Sequence, residues 1–386
     1  MKRLRASVLP NVLVALLLFA GPVAGQEEEG SRFRDPLDGK FDMSAHLASA
    51  AGFLPIVSPI TEPAVNYGGI AVLAFLHRPK GWTLQGARDA FERGERQPPP
   101  SVSMVAGGYT FNDSWMVGGG HLGIWRGDRL RYGGFGGYGA FNLALTGDRP
   151  DGTPADAEYS ITGWIIVQSL RWRLAGSPWF LGFRGSLSES EVAARADPID
   201  DLEIPEQEAR NGALGVTVGF DTRDNIFTPN RGFDGSVEIR RYDDVFFGDF
   251  EYWEGTAQLK AFFEVGPGSL GFRGKGMRSG EGVPFWALPA VGMRGVPARQ
   301  YLGPGMVQGE AEYRWDLDRR WSLVGFGGVG WTGGELLEED ISRVIGAGGI
   351  GGRYLLARAF GVRAGIDLAW GPDGGAFYIT VGSAFR

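Results

Sequence analysis

Apolar and polar residues alternate along most of the chain with a period of two. Gly255, Ala257, Leu259, Ala261, Phe263 and Val265 fall on one face, and Thr256, Gln258, Lys260, Phe262 and Glu264 on the other. Leu214, Val216, Val218 and Phe220 alternate in the same way with Gly215, Thr217, Gly219 and Asp221. So do Phe360, Val362, Ala364, Ile366, Leu368 and Trp370 with Gly361, Arg363, Gly365, Asp367 and Ala369. This period puts successive side chains on opposite faces of a strand. The runs reach about 10 or 11 residues, against about 5 or 6 in a soluble sandwich, and about 10 is what a tilted strand needs to cross a bilayer. Charge alternating with lipid-compatible residues over that length predicts an all-β fold, a transmembrane antiparallel β-barrel.

Candidate strands cover 53–59, 67–77, 101–111, 114–125, 130–145, 158–173, 179–188 and 209–222. They continue through 232–242, 253–265, 270–278, 307–315, 321–331, 345–356, 360–370 and 377–385. The count is about sixteen, and an even number lets both ends of a single-chain barrel meet on the same side. Turns at 126–129, 175–178, 266–268 and 316–318 alternate with longer segments at 147–157, 189–208, 280–305 and 333–344. Short periplasmic turns and long outer loops are the expected asymmetry. The segment 78–100, ending in Pro98-Pro99-Pro100, breaks it, being long on the short-turn side.

The chain opens with Lys2, Arg3 and Arg5, an apolar run from Val8 to Ala20, and the small residues Pro22-Val23-Ala24-Gly25. That is the pattern of a cleaved export signal over 1–25, its apolar core too short for the about 20 residues of a spanning helix. Residues 26–52 read as a polar periplasmic lead-in with a short helix near Ser44 to Ala51. They are too few for a folded domain, so 53–386 is expected to be the barrel. With 64 Gly, 25 Phe, 12 Trp and 11 Tyr among 386 residues, composition suits strands better than helical bundles. A formal charge of -7 gives no reason to expect a nucleic-acid partner, and without cysteine there is no disulfide framework or thiolate metal site.

One loop and the strand after it stand apart. Gly292-Met293-Arg294-Gly295-Val296 precedes a strand whose one face holds Gln308, Glu310, Glu312 and Arg314. A loop tip folded back there brings Arg294 to the row of Glu310 and Glu312. At these residues the sequence resembles the BamA/TamA family of outer-membrane barrels, also called the bacterial surface antigen family. That family's sixth outer loop carries an Arg-Gly-aromatic tip tucked inside the barrel; here Val296 stands in place of the aromatic. The segment Asp221-Thr222-Arg223-Asp224, followed by Pro229 and Gly232, looks like the family's turn signature, three strands before the Arg-Gly loop. The family's Phe-x-Asp-x-Gly after the Glu-bearing strand is Phe326-Gly327-Gly328-Val329-Gly330 here, so Arg294 lacks its usual partner. Glu312 or Glu310 is the expected substitute, since a buried arginine without a carboxylate is costly.

The resemblance covers the chain from about Asp35 onward and carries further expectations. The inward-folded loop, with Arg294, Gly295, Glu310, Glu312 and Arg314 as tip and lumen brace, would act as a plug. The alternating last strand closing on Phe385 resembles the tag by which barrel assembly machinery recognises its clients. Protein or lipid would be inserted or translocated through a seam between first and last strands, with Pro55, Pro59, Gly382 and Phe385 as seam residues. Prolines cannot donate to a ladder and Gly382 permits a bend. Expected partners are outer-membrane lipid, the assembly machinery, and an unfolded outer-membrane protein or lipid cargo. The family's periplasmic POTRA domains have no counterpart. A passive porin-like channel, lined by Arg273, Lys275, Glu238, Arg240, Lys260, Glu264, Arg363 and Asp367, is the competing reading. A third is a surface-attachment protein whose loops alone matter.

No enzyme, cofactor or metal site is expected. Gly346-Ala347-Gly348-Gly349-Ile350-Gly351 matches a dinucleotide fingerprint in form but no helix follows it. His121 is placed facing the lumen, with no Ser or Asp tied to it by spacing. Asp148, Asp151 and Asp156 miss the spacing of a calcium loop.

Overall fold

The computed structural model describes residues 30–49, 52–62, 66–148, 154–194, 207–336, 339–340, 342–383 and 385. The export signal and the run Glu27-Glu28-Glu29 lie outside the described residues, as do much of the acidic loop 189–208 and Asp151. The barrel strands are β1 (Leu54–Glu62), β2 (Asn66–His77), β3 (Ser101–Thr110), β4 (Trp115–Trp125), β5 (Leu130–Asp148), β6 (Pro154–Arg173), β7 (Trp179–Ala194) and β8 (Gln207–Asp221). They continue with β9 (Gly232–Tyr242), β10 (Tyr252–Val265), β11 (Gly268–Ser279), β12 (Gly305–Asp316) and β13 (Trp321–Gly333). A small hairpin of β14 (Glu335–Leu336) and β15 (Glu339–Asp340) follows, then β16 (Arg343–Ala357), β17 (Val362–Gly371) and β18 (Gly374–Val381). Sixteen strands form one antiparallel sheet in chain order, and β1 and β18 lie side by side to bring it nearly to closure. The glycine run 346–351 is part of β16, so strand packing accounts for it.

The alternation sets what each face holds. Leu181, Phe183, Val216, Val218, Val237, Ile239, Leu259 and Phe272 point outward and are exposed. Arg131, Thr217, Glu254, Glu310 and Asp367 point inward and are buried. Exposed tryptophans collect at two heights on the outer face: Trp125, Trp172, Trp179, Trp315 and Trp321 by the short turns, and Trp115, Trp253, Trp331 and Trp370 towards the long loops. Two aromatic girdles flanking an apolar band are what a bilayer selects in a barrel wall.

Segments outside the strands pack inside the short-turn end. The lead-in is folded: Met43, Leu47 and Ala48, around helix α1 (Ser44–Leu47), pack on the lumen-facing Leu54, Ala74, Leu76 and Val102. Segment 78–100 supplies helix α2 (Leu84–Glu92), with the Thr83 hydroxyl accepting the Gly86 amide as N-cap. Its Ala87 and the stacked pair Trp82 and Phe360 (5.1 Å) join the same cluster, which accounts for the length of this connection.

Two arginines lock the lead-in down. Arg320, in the β12–β13 turn, and Arg358, after β16, are fully buried and share Asp35 and Asp38. Arg320 also holds Asp42 at 2.8 Å, and Arg358 pairs with Glu92 of α2. A polar lead-in is thus bound, because its carboxylates are the counterions of guanidiniums that would otherwise be buried alone. Burial works against the Asp38 charge, yet the Arg320 guanidinium, the Lys40 amide and Arg358 hold its pKa at about 2. Burial likewise opposes the Arg320 charge, and Asp38 and Asp42 outweigh it, raising the Arg320 pKa.

Candidate functional site

The loop from 280 to 304 folds back into the lumen from the long-loop end. Gln308 of β12 clamps it, Oε1 accepting the Gly292 amide at 2.8 Å and Nε2 donating to the Gly292 carbonyl at 2.9 Å. Val291, Met293 and Val296 are buried against Met306 and Ile345. Arg294 then spans the space between β12 and β17. It donates to Glu312 at 2.6 Å and to Asp367 at 2.8 Å, with its guanidinium 3.5 Å above the Phe326 ring. The Gly295 amide donates to the Tyr378 hydroxyl of β18 at 3.0 Å.

Glycine at 295 is required twice over. Its φ is +88°, in the left-handed region, and a Cβ there would sit 3.1 Å from the Trp370 carbonyl carbon and oxygen. From the other side, a Cβ on Gly371 would stand 2.0 Å from the Gly295 carbonyl oxygen. Gly328 leaves room for the loop in the same way, since a Cβ there would come within 2.8 Å of the Gly309 oxygen and 3.0 Å of Met293 Sδ.

Asp367 is the hub that the sequence reasoning placed only among the lumen-lining charges. It is fully buried and accepts from Arg294, from Arg353 of β16 at 2.6 and 2.9 Å, and from the Thr380 hydroxyl of β18 at 3.2 Å. Alternation puts Asp367 inside, but its pairing with a loop 73 residues away leaves no local trace. Glu310 is turned to Arg273 at 2.8 Å instead of to Arg294. Arg314 is not part of the brace. It lies near the short-turn end of β12, where it bonds Asp316 at 2.9 Å and Asn230 at 2.5 Å.

The turn after β8 does more than reverse the chain. Within it, Asp221 accepts from Arg223 at 3.0 Å, Asp224 caps the Asn230 amide at 3.0 Å, and Gly232 has φ +100°. Beyond it, Asp221 also accepts from Arg131 of β5 at 2.7 Å, and Asn225 donates to the Phe360 carbonyl at 3.0 Å. Pro229 lies beside a pocket bounded by Arg314, Arg363, Gly382 and Phe385.

Between β1 and β18 no ladder forms among the described residues. The β1–β2 register runs unbroken from Leu54↔Ala74 to Glu62↔Asn66 across Pro55 and Pro59. A proline sits in a strand where its missing N–H faces away from the ladder, which directs both gaps to the free edge. The last strand is shorter than the alternation suggested. It ends at Val381, and Gly382 (φ +81°) turns the chain inward. Phe385 is therefore not on the strand: it is buried in the lumen, 6.0 Å from Phe262, and its carbonyl accepts from Lys260 at 2.9 Å. The apolar ring finds a lumen-facing partner in Phe262 that an edge position would lack.

His121 faces outward, contrary to the lumen placement. It shares its side of β4 with Trp115, Val117 and Trp125, whereas Leu122 meets the lumen cluster. A serine does reach it, but from the neighbouring strand, through the register Ser103↔His121.

No protein-family model matches the sequence, and no curated protein matches it. Solved structures do resemble it in shape. BamA from Haemophilus ducreyi lacking POTRA domains 1-3 superposes with a TM-score of 0.54 at 10% identity, covering 86% of this chain and 70% of that one. CdiB from Escherichia coli gives 0.54 at 11% identity, covering 92% and 73%. CdiB from Acinetobacter baumannii gives 0.52 at 13%, covering 85% of this chain and 59% of that one, less than two thirds of its length. These likenesses assign the fold: a sixteen-stranded barrel of the kind seen in BamA and CdiB.

Proposed function

We propose that the chain is an outer-membrane barrel of the BamA/TamA type that assists insertion or translocation of polypeptide or lipid through the β1/β18 seam, with the braced loop as its plug. The apolar band between two tryptophan girdles supports the membrane location. One observation carries the rest: the loop tip is tied to β17 through Asp367 and to β18 through Tyr378, the two strands beside the edge that lacks a ladder. Unpaired edge groups are a template for an incoming strand, and a brace on the last strands holds the wall while that edge opens. Segments packed inside the lumen towards both ends favour this reading over a wide passive channel.

The test is reconstitution into lipid vesicles, reading ion conductance and the folding rate of a second, unfolded barrel. Faster client folding with small, flickering conductance supports the proposal. Loss of that acceleration when a cysteine pair locks β1 to β18, and its return on reduction, assigns it to the seam. Steady large conductance without acceleration would make the barrel a porin.

A further inference from the structure

The outer wall carries a polar cluster where its neighbours are apolar. His77, at the end of β2, lies with Nε2 2.8 Å from Ser103 Oγ of β3, and that oxygen is 2.9 Å from Nδ1 of His121 on β4. Next to them stand Trp125 and Tyr132, stacked at 5.7 Å, and the Tyr132 hydroxyl donates to Gln168 of β6. On the far wall the lipid-facing side of β7 and β8 holds Leu181, Phe183, Val216 and Val218 instead. Polar side chains on a lipid-facing surface are costly away from the head-group zone. This cluster lies beside Trp125, in the short-turn tryptophan girdle, where head groups meet the wall.

The hydrogen-bond chain dictates what the cluster presents. The Ser103 hydroxyl has one proton, so it donates to one ring and accepts an N–H from the other. With both rings neutral, the two remaining nitrogens are one donor and one acceptor. Adding a single proton converts the acceptor to a donor, leaving two N–H groups outside the relay and one positive charge. We infer that His77, Ser103 and His121 form a binding site for the phosphate of an anionic phospholipid head group on the outer wall, engaged when one imidazole is protonated.

The engaged form carries one proton more than the neutral pair, so binding takes up a proton and strengthens on acidification. The titratable groups around the rings are each other and Tyr132 from β5, with Arg78 following His77 and Arg126 following Trp125 at the strand ends. No carboxylate hydrogen-bonds either ring among the described residues. The inference rests on the membrane reading above.

The chain has only 3 histidines, and the third, His46, is bonded to the Phe53 carbonyl in the lead-in, so ring NMR of the full protein has a built-in control. In maltoside micelles, dihexanoyl-phosphatidylglycerol should shift the His77 and His121 resonances and leave His46 in place. Binding should be about fivefold tighter at pH 6 than at pH 8, equivalent to the ~1 kcal/mol of one basic group at an anionic surface. Phosphatidylcholine of the same chain length should bind more weakly at pH 6. Ser103→Ala, which keeps both rings but breaks the bridge that holds them together, should weaken phosphatidylglycerol binding at both pH values. Equal binding at both pH values overturns the inference, as do equal binding of the two lipids and inorganic phosphate matching phosphatidylglycerol. A barrel that fails to enter bilayer nanodiscs sinks the membrane reading instead, a separate result.

Discussion

At the two ends of the lumen a segment is docked by the same chemistry with the signs reversed. At the long-loop end the plug brings the cation, Arg294, and the wall supplies Glu312 and Asp367. At the short-turn end the barrel supplies Arg320 and Arg358, and the plug brings Asp35, Asp38 and Asp42. The burial differs as well. Arg320, Asp35 and Asp42 are sealed from solvent, whereas Glu312 keeps 17% of its side-chain surface. Asp367 is sealed too, but the loop tip hangs on one guanidinium and the lead-in on two, so the loop tip is expected to be the more releasable of the two.

Breaking the deeper end should cost most. Arg320→Ala leaves Asp42 without a guanidinium and Asp35 and Asp38 to Arg358 alone, and losing one partner of a buried pair costs about 3–5 kcal/mol. The expected result is a large drop in thermal stability and early proteolysis between residues 30 and 49. Arg294→Ala strands Asp367 beside Arg353 and frees Glu312, for a loss of about 3 kcal/mol that is local to the loop. Conductance should rise with the barrel intact; unchanged conductance and stability would remove the brace from the proposal. Gly328→Ala pushes a methyl against Glu310, the Gly309 carbonyl and Met293, an overpacking cost of about 1–3 kcal/mol. It should loosen the loop tip without touching its ion pairs, which proteolysis of 280–304 would register.

The mildest probe of the contrast is acid. The pKa of Asp38 is lowered to about 2, and that of Asp318, accepting the Trp321 and Arg320 amides, also to about 2. A lowered carboxyl pKa stabilises the fold above the ordinary value near 4 and loses that contribution as pH falls through the lowered one. The lead-in should remain docked at pH 5 and release only between about pH 4 and pH 2. Release at pH 5, seen by proteolysis, would mean that other contacts govern the docking.

The wall was legible in the sequence because alternation is a local signal, and strands such as β9 and β10 follow it closely. The inward loop could be read from an Arg-Gly tip beside a Glu-bearing strand. What could not be read depends on distant chain segments meeting. Asp35, Asp38 and Asp42 look like a solvated polar lead-in until Arg320 and Arg358 arrive from about 300 residues away. Asp367 is one more charge on an alternating strand until Arg294 reaches it. Segment 78–100 seems merely long until Trp82 finds Phe360, and Ser103 and His121 become partners only through the β3–β4 register.

The inward turn at Gly382 constrains the order in which the barrel can be assembled. Phe385 ends inside, held by Lys260 and Phe262 on the β10 wall. The segment that follows β18 must therefore enter the cylinder before β1 and β18 come together, or be threaded through the gap afterwards. A bulky insertion between Gly382 and Phe385 would meet that constraint at the final step, delaying closure even if every strand had already paired.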